Sequence, residues 1–190
     1  MSVRSALLLT LSLCLLIPEN SPAALPAGRP LPDVPISLPK GRLSLKLYRG
    51  KVVVLALIST TCNHCSDALA ALNLVQQELA FKGFQAVAAA GDDDAKLRLE
   101  AFTAKVMPKF PVGYVDKAGF ISLAALKPDA RPYVPILLFI DRNGMVRLQF
   151  AGDSPVMKDM RGVIRGTVAQ LLAEGAPAAP NAKAPAPAAK

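Results

Sequence analysis

The chain has 190 residues, a length that suits one domain with a full hydrophobic core. Hydrophobic residues make up 52% of it and aromatic residues only 5%, with no Trp, so the core must consist mainly of aliphatic side chains and Ala. The net charge of +8 comes from Lys and Arg scattered along the chain, without the clusters or interleaved aromatic residues of nucleic-acid binders. We therefore expect no nucleic-acid partner.

The N-terminal residues have the pattern of a secretory signal peptide. Arg4 is followed by an apolar run over 6–17 and then by small residues up to Ala24. The run is shorter than the roughly 18 apolar residues of a membrane span. We assign residues 1–24 to a signal peptide. This predicts an exported protein of the bacterial periplasm, which meets a membrane only if the segment stays uncleaved.

Two further segments are predicted from composition. Residues 25–37 are rich in Pro, which fixes φ and removes a backbone donor, and we interpret them as an extended linker. Residues 176–190 contain only Ala, Pro, Lys and one Asn, so they cannot bury a core and are predicted to be a disordered tail. The folded domain is therefore expected over residues 38–175.

A predicted strand and a predicted helix enclose a pair of cysteines. The continuous apolar run 52–58 is rich in β-branched residues, as in a strand buried on both faces of a parallel sheet. Ser59, Thr60 and Thr61 offer side chains that can cap a helix. The apolar face of that helix recurs at steps of three and four, at Cys65, Leu69, Leu72, Val75 and Leu79. The motif Cys62-Asn63-His64-Cys65 therefore lies where the strand runs into the helix.

A second strand and helix follow the first pair. The apolar run 84–90 predicts another buried strand. Asp92, Asp93 and Asp94 predict the acidic first turn of a helix that reaches about Lys105. The order strand, helix, strand, helix favours a parallel sheet, because helical crossovers connect parallel strands.

The C-terminal part of the domain is predicted to contain a hairpin and a helix. Residues 141–144, Asp-Arg-Asn-Gly, separate the apolar strands 136–140 and 145–150. Asn-Gly between apolar strands is typical of a hairpin turn with positive φ at both residues. A last helix is expected over about 154–174. Its predicted apolar face consists of Met157, Met160, Ile164, Val168 and Leu171.

Removal of the signal peptide would take Cys14 with it and leave two cysteines, too few for a disulfide-rich scaffold or a four-cysteine zinc site. Residues three apart on a helix share a face, so the sulfurs of Cys62 and Cys65 can form a disulfide. At a helix start the unpaired N–H groups and the dipole favour a thiolate, so we expect Cys62 to attack and Cys65 to resolve the mixed disulfide. No metal and no cofactor beyond this redox-active disulfide is expected.

His64 is the only histidine in the chain. Between the two cysteines it is close enough to stabilise the Cys62 thiolate, which would stabilise the reduced form and raise the reduction potential. The alternative is an exposed turn residue with little influence. The pair itself could also be an unused disulfide, but such a short loop gives the least entropic stabilisation of any disulfide.

The stretch from Gly50 to Gly152 resembles the thioredoxin superfamily, and in particular its exported TlpA-like and ResA-like branch, which is related to the redoxins. The matching residues are Gly50-Lys51-Val52-Val53-Val54, Cys62-x-x-Cys65 and Val134-Pro135 with Phe139-Ile140-Asp141-Arg142-Asn143-Gly144. The resemblance implies a thioredoxin-like α/β fold with a central mixed β-sheet flanked by helices on both faces. It also implies an extra strand-helix insertion between the Cys-x-x-Cys helix and the hairpin.

The resemblance further implies thiol–disulfide oxidoreductase activity on protein substrates, together with a redox-recycling partner. It implies a cis Val134–Pro135 bond beside the sulfurs, with Pro135 in the catalytic site and Val134 and Asn63 binding the substrate. Two residues depart from the pattern, since Thr61 stands where family members carry Trp and Ala56 where thioredoxin carries a buried acid. Proton transfer to Cys65 therefore has no evident assistant, and the direction of electron flow stays open.

Two other functions use similar residues. A peroxiredoxin-like peroxidase would need Pro at 55 and Thr at 59, where this chain has Leu55 and Ser59. A Cu(I) metallochaperone would use the same two thiols as soft ligands. Its third ligand normally comes from a distant histidine, and His64 is too tightly placed between its neighbours to serve easily.

Overall fold

The structure, a computed structural model, describes Leu25 and residues 28–175. The predicted signal peptide, 1–24, and the predicted tail, 176–190, lie outside the described residues. Within the described part of the chain, the main elements are β1 (Arg29–Pro30), β2 (Ile36–Ser37), β3 (Arg42–Leu43), β4 (Val52–Ile58), α1 (Asn63–Leu79), β5 (Phe84–Ala90), α2 (Ala95–Val106), β6 (Val112–Tyr114), α3 (Lys117–Ala124), β7 (Ile136–Ile140), β8 (Met145–Phe150) and α4 (Met160–Ala173). Short 3-10 helices cover Leu45–Tyr48, Ala80–Lys82 and Pro155–Asp159.

The strands form one mixed sheet in the order β1-β8-β7-β4-β5-β6-β2-β3. Strand β4 runs parallel to β5, with Val52 opposite Phe84, and antiparallel to β7. Strand β5 also runs parallel to β6. All seven residues of β4 are buried, as its continuous apolar sequence predicts for a central strand.

Hydrophobic cores lie on both faces of the sheet, because successive side chains of a strand point to opposite sides. Val54 and Ala56 of β4 belong to the core that α1, α2 and α4 cover. Val53 and Leu55 belong to the core covered by α3. The predicted thioredoxin-like α/β fold is confirmed. The two strand-helix units β5–α2 and β6–α3 fill the chain between α1 and β7, where the extra unit was expected.

A buried polar side chain completes the edge of β5. Strand β6 pairs with β5 only from Ala88 onward, so the backbone N–H of Ala86 has no strand partner on that side. The side chain of Gln76 in α1 accepts this hydrogen bond at 2.6 Å. A buried amide without a partner would cost free energy, so Gln76 substitutes for the missing strand.

The segment 25–37, expected to be a linker outside the domain, contributes to the sheet. Arg29–Pro30 pairs with the first two residues of β8, and Ile36 and Ser37 pair with β3. Ile36 is fully buried, at 0% exposure. Pro30 is tolerated in β1 because β1 lies at the edge of the sheet. The described domain therefore begins before residue 38.

The hairpin turn differs from the predicted one. Gly144 has a φ of +73°, but Asn143 is not among the residues with positive φ, so the prediction for Asn143 was wrong. The carboxylate of Asp141 instead accepts hydrogen bonds from the backbone N–H groups of Asn143 and Met145, each at 2.9 Å. An aspartate that binds the backbone ahead of it stabilises a longer turn. The register of β7 and β8 shifts between Phe139 and Ile140 accordingly.

The last helix starts later than predicted. Residues Pro155–Asp159 form a 3-10 turn, and α4 begins at Met160 with Asp159 accepting a hydrogen bond from the N–H of Gly162. Of the predicted apolar face, Ile164, Val168 and Leu171 are fully buried, whereas Met157 and Met160 are partly exposed at the edge of the core. This leaves two methionines near the surface that carries the cysteine motif.

Candidate active site

Cys62 caps the N-terminus of α1 with its own sulfur. The Sγ atom accepts a hydrogen bond from the backbone N–H of Cys65 at 3.3 Å. The expected hydroxyl caps are engaged elsewhere, because Ser59 and Thr61 hydrogen-bond to each other at 3.0 Å and Thr60 bonds to a carboxylate. The prediction of a hydroxyl cap was therefore wrong. A sulfur in this position meets the free N–H groups and the positive end of the helix dipole, which favour a thiolate.

The two cysteines differ in accessibility. Both are free thiols, Cys62 is half-buried and Cys65 is fully buried at 0% exposure. Burial raises the pKa of the Cys65 thiol well above its usual range, and a hydrogen bond with Cys62 adds to the rise. A hydrogen bond with the Ser59 backbone offsets a part of it. Cys65 is therefore a neutral thiol near pH 7, and Cys62 is the sulfur that another molecule can reach.

Alkaline pH should destabilise the reduced protein through Cys65. Its pKa is raised on folding, so above the unfolded-state value of about 8.5 the unfolded chain releases a proton that the folded chain keeps. Stability then falls as pH rises, by up to about 1.4 kcal/mol per pH unit. Urea denaturation of the reduced protein at several alkaline pH values measures this slope. Cys65→Ala should show a shallower slope, and equal slopes would contradict the expectation.

The Val134–Pro135 bond lies beside the attacking sulfur. The peptide bond is cis, and the thiol of Cys62 lies 3.7 Å from the carbonyl oxygen of Val134. Gly152, after β8, donates its backbone N–H to the carbonyl of Tyr133 at 2.8 Å. The structure thus brings Cys62, Val134 and Pro135 together. The hydrogen bond from Gly152 holds Tyr133, the residue before Val134.

His64 and Asn63 lie at the rim of the site as the first two residues of α1. The His64 side chain is 85% exposed, and its Nδ1 lies 3.9 Å from the carboxylate of Asp67. It faces a groove that Pro135 also lines, whereas Asn63 lines a different groove towards α2. Within residues 28–175 no hydrogen bond joins His64 to either cysteine, so any effect on Cys62 would act through its charge.

Asp92 is a site residue that the sequence did not indicate. Its carboxylate accepts hydrogen bonds from the backbone N–H and the hydroxyl of Thr60, at 2.8 and 2.5 Å, and its charge also raises the pKa of Cys65. The prediction that residues 92–94 form the first turn of a helix was wrong, because α2 begins only at Ala95. The available signal was topological, since parallel neighbours β4 and β5 end at the same sheet edge. Asp92 thus places a carboxylate at this edge of the sheet, whereas position 56 carries Ala.

We expect Asp92→Asn to lower the pKa of the Cys65 thiol, because the substitution removes a nearby negative charge. It should also cost about 1–3 kcal/mol of stability, because the hydrogen bonds from Thr60 lose their charged acceptor. Thiolate absorbance during a pH titration of the Cys62→Ser protein measures the first effect, and urea denaturation the second. The exposed neighbour Asp93, changed to Asn, is the control. An unaltered Cys65 titration would contradict the assignment.

A metal site and a membrane-spanning helix are not found among the described residues. No group of three or more His, Cys, Asp or Glu side chains there is arranged to hold a metal ion. In the same part of the chain, no helix combines the length and apolar character needed to cross a bilayer.

Solved structures with the same fold come from thiol–disulfide proteins. A candidate thiol:disulfide interchange protein DsbE from Chlorobium tepidum is 29% identical, with a TM-score of 0.65 over 78% of this chain and 99% of that chain. A thioredoxin-family thiol:disulfide interchange protein from C. tepidum is 18% identical, with a TM-score of 0.61, over 76% and 99%. A secreted disulfide oxidoreductase of Mycobacterium tuberculosis is 16% identical, with a TM-score of 0.53, over 72% and 95%. The last two share the fold alone.

No curated protein matches the chain. A family model does, and it spans residues 27–149, which include the cysteine pair, the cis proline and most of the sheet. This match covers more than half of the chain. Together with the fold and the free cysteine pair, it identifies the chain as a member of the AhpC/TSA family and a thioredoxin-like thiol–disulfide oxidoreductase.

Proposed function

We propose that the chain is an exported enzyme that exchanges disulfides with protein substrates, with Cys62 attacking and Cys65 resolving. The position of Cys62 carries this proposal. Its half-buried sulfur caps α1 and lies 3.7 Å from the Val134 carbonyl, and the free thiol of Cys65 lies within hydrogen-bond reach behind it. A protein chain laid along Val134 would bring its own sulfur to Cys62.

The exchange moves two electrons in two steps. The Cys62 thiolate attacks one sulfur of a client disulfide, so that a mixed disulfide forms and the other client sulfur leaves as a thiolate. Cys65 then gives up its proton and attacks the Cys62 sulfur, which releases the second client thiolate and leaves the Cys62–Cys65 disulfide. The client is reduced and the enzyme is oxidised. The reverse sequence oxidises a client, and a redox partner restores the starting form.

Export is supported by the signal-peptide pattern of residues 1–24. An exported chain would work in a compartment where disulfides persist. Cell fractionation followed by N-terminal sequencing tests this part. A processed chain outside the cytoplasm is expected, and an intact N-terminus in the cytoplasmic fraction would overturn it.

Trapping of clients tests the exchange itself. In the Cys65→Ala protein the resolving thiol is missing, so client proteins should remain bound to Cys62 through disulfides that a reducing agent cleaves. The Cys62→Ala, Cys65→Ala double variant is the control for chance cross-links. If no client is trapped while the wild-type protein binds Cu(I) tightly, the chain is a copper carrier and the proposal fails. Rapid consumption of peroxide without client trapping would instead indicate a peroxidase.

We expect His64→Ala to lower the reduction potential of the pair by about 30 mV, which corresponds to about 1.4 kcal/mol. The reason is that the protonated form of the imidazole would place a positive charge near Cys62, which favours the thiolate and hence the reduced form. Equilibration with glutathione measures the potential, and Asn63→Ala, one residue earlier on the same rim, is the matched control. A potential that does not change would make His64 an exposed rim residue without a redox role.

A further inference from the structure

A groove beside Cys62 lies between the first turn of α1 and the face of α2. Its volume is about 270 Å³. The α1 side contributes Thr61, Asn63 and Ser66, and the α2 side contributes Arg98 and Lys105. Arg98 and Lys105 are seven residues apart, two helical turns, and therefore share one face of α2. We call this space the α1–α2 groove.

The charges on the α1–α2 groove are of one sign. None of the described residues that line it is acidic. Arg98 pairs with Asp94 at 2.9 Å but stays half-exposed, and Lys105 is exposed and forms no ion pair among residues 28–175. Asp92 is held behind Thr60 and lines the neighbouring cleft instead. The groove therefore presents a net positive surface next to the attacking sulfur.

The backbone adds to this field. The groove lies at the N-terminus of α1, a helix of 17 residues with no acidic residue in its first turn. The Cys62 sulfur caps this end, and no carboxylate in the first turn offsets the positive end of the dipole. Asn63 and Ser66 supply side-chain hydrogen-bond donors to the same space. Cations, helix dipole and neutral donors together suit a carboxylate.

The opposite side of Cys62 has a different character. There a groove of about 390 Å³ has an apolar part formed by Pro135, Met157 and Met160, and its lining also includes the polar side chains of His64, Asp153, Ser154 and Lys158. A chain that crosses Cys62 along Val134 would thus meet a mixed surface with two methionines and charges of both signs on one side, and a basic, hydrogen-bonding surface on the other. The two sides of a client's cysteine are distinguishable here.

We propose that the α1–α2 groove recognises acidic residues of the client protein next to its reactive cysteine. This inference rests on the proposed disulfide exchange at Cys62 and names the class of client that the site favours. Arg98 and Lys105 bind the client carboxylates, and Asn63 and Ser66 donate hydrogen bonds to them. The groove acts before the chemical step, by raising the local concentration of acidic segments at the sulfur.

Peptide disulfides of defined charge test the proposal in the Cys65→Ser protein. Each peptide carries one cysteine as a mixed disulfide with thionitrobenzoate, flanked by Glu, Gln or Lys. Attack by Cys62 forms a disulfide with the peptide and releases coloured thionitrobenzoate. At low salt we expect the Glu peptide to react about fivefold faster than the Gln peptide, and the Lys peptide to be slowest. Added salt should reduce the preference, because the groove is open to solvent.

Paired variants assign the preference to the groove. Arg98→Gln with Lys105→Gln should bring the Glu and Gln peptides to within about twofold of each other, and the rate with an uncharged small disulfide corrects each variant for a change in the reactivity of Cys62 itself. Lys51→Gln with Lys82→Gln is the control. It removes the same net charge near the N-terminal ends of β4 and β5, away from Cys62, and it should keep the preference. Circular dichroism checks that each variant is folded.

The outcomes distinguish a failure of the acidic-client proposal from a failure of the disulfide-exchange proposal. Equal rates for the Glu and Gln peptides, or an equal loss of preference in both double variants, would overturn the acidic-client proposal while disulfide exchange stands. No reaction with any peptide or with the small disulfide would overturn the exchange itself, and the groove proposal with it.

Discussion

Replacing Cys62 with Ser is expected to reduce disulfide exchange by about three orders of magnitude or more. The reacting species is a thiolate, and a serine hydroxyl neither ionises near pH 7 nor forms a disulfide. Cys65 cannot take over the attack, because it is fully buried and its pKa is raised by that burial. The measurement is the rate of insulin reduction in the presence of a recycling reductant.

Cys65→Ser is the matched variant, because it removes the second sulfur and leaves the first in place. It should attack a disulfide once, at a rate close to that of the wild-type protein, and then stop as a mixed disulfide with the client. Mass spectrometry should find that adduct on Cys62. If the Cys62→Ser protein retained turnover, or if the Cys65→Ser protein failed to form the adduct, the order of attack would be different from the one proposed.

The elements that the sequence predicted well are those that need only apolar surroundings and no particular partner residue. Residues 52–58, 84–90 and 136–140 are buried on both faces, so a continuous apolar run suffices to define them, and their observed bounds agree with the predicted ones. The helix after Cys62 likewise buries each residue of its predicted apolar face. In these segments local pattern and tertiary environment require the same residues.

The elements that were missed depend on particular neighbours. Strand β6 has only three residues, including Gly113, where a Cβ atom would clash with the backbone of Ser37. Strand β2, which supplies Ser37, is itself two residues long and lies in a proline-rich segment. Each of these strands depends on partners elsewhere in the sheet, since β6 pairs with β5 and β2, and β2 pairs with β3 and β6. The local propensity of a short segment does not predict such a pairing.

The residues of the site also divide into those that the sequence shows and those that depend on distant neighbours. The cysteine spacing and the Val-Pro dipeptide were visible in the sequence, but Asp92 was visible only as part of an acidic run. Its carboxylate reaches Thr60 because β4 and β5 end side by side, 32 residues apart in sequence. Sulfur capping of α1 was hidden for a different reason, since Cys62 took the place of better hydroxyl caps. Cys62 departs from the usual preference for hydroxyl caps because its sulfur is the reacting atom of the site.

Gly152→Val is expected to damage the site without touching either sulfur. A Cβ atom at this position would lie 2.6 Å from the carbonyl oxygen of Val134 and 2.7 Å from its carbonyl carbon. These are backbone atoms, so the clash is relieved only if the Val134–Pro135 segment moves away from α1. The hydrogen bond from the Gly152 N–H to Tyr133 would then lengthen as well. We expect a loss of about 1–3 kcal/mol of stability from this overpacking.

The effect on exchange should depend on the size of the substrate. A protein or peptide disulfide that uses Val134 should react about tenfold to a hundredfold more slowly, because misplacement by about 1 Å can cost that much. A small soluble disulfide needs only Cys62 and should react nearly as fast as with the wild-type protein. Gly166→Ala in α4 is the control, since a Cβ atom there meets nothing within 4 Å. Removing a glycine from a helix interior should raise stability by about 0.5–1 kcal/mol. If Gly152→Val slowed both substrates equally, the defect would lie in the sulfur pair, and Val134 would not be a contact that protein clients use.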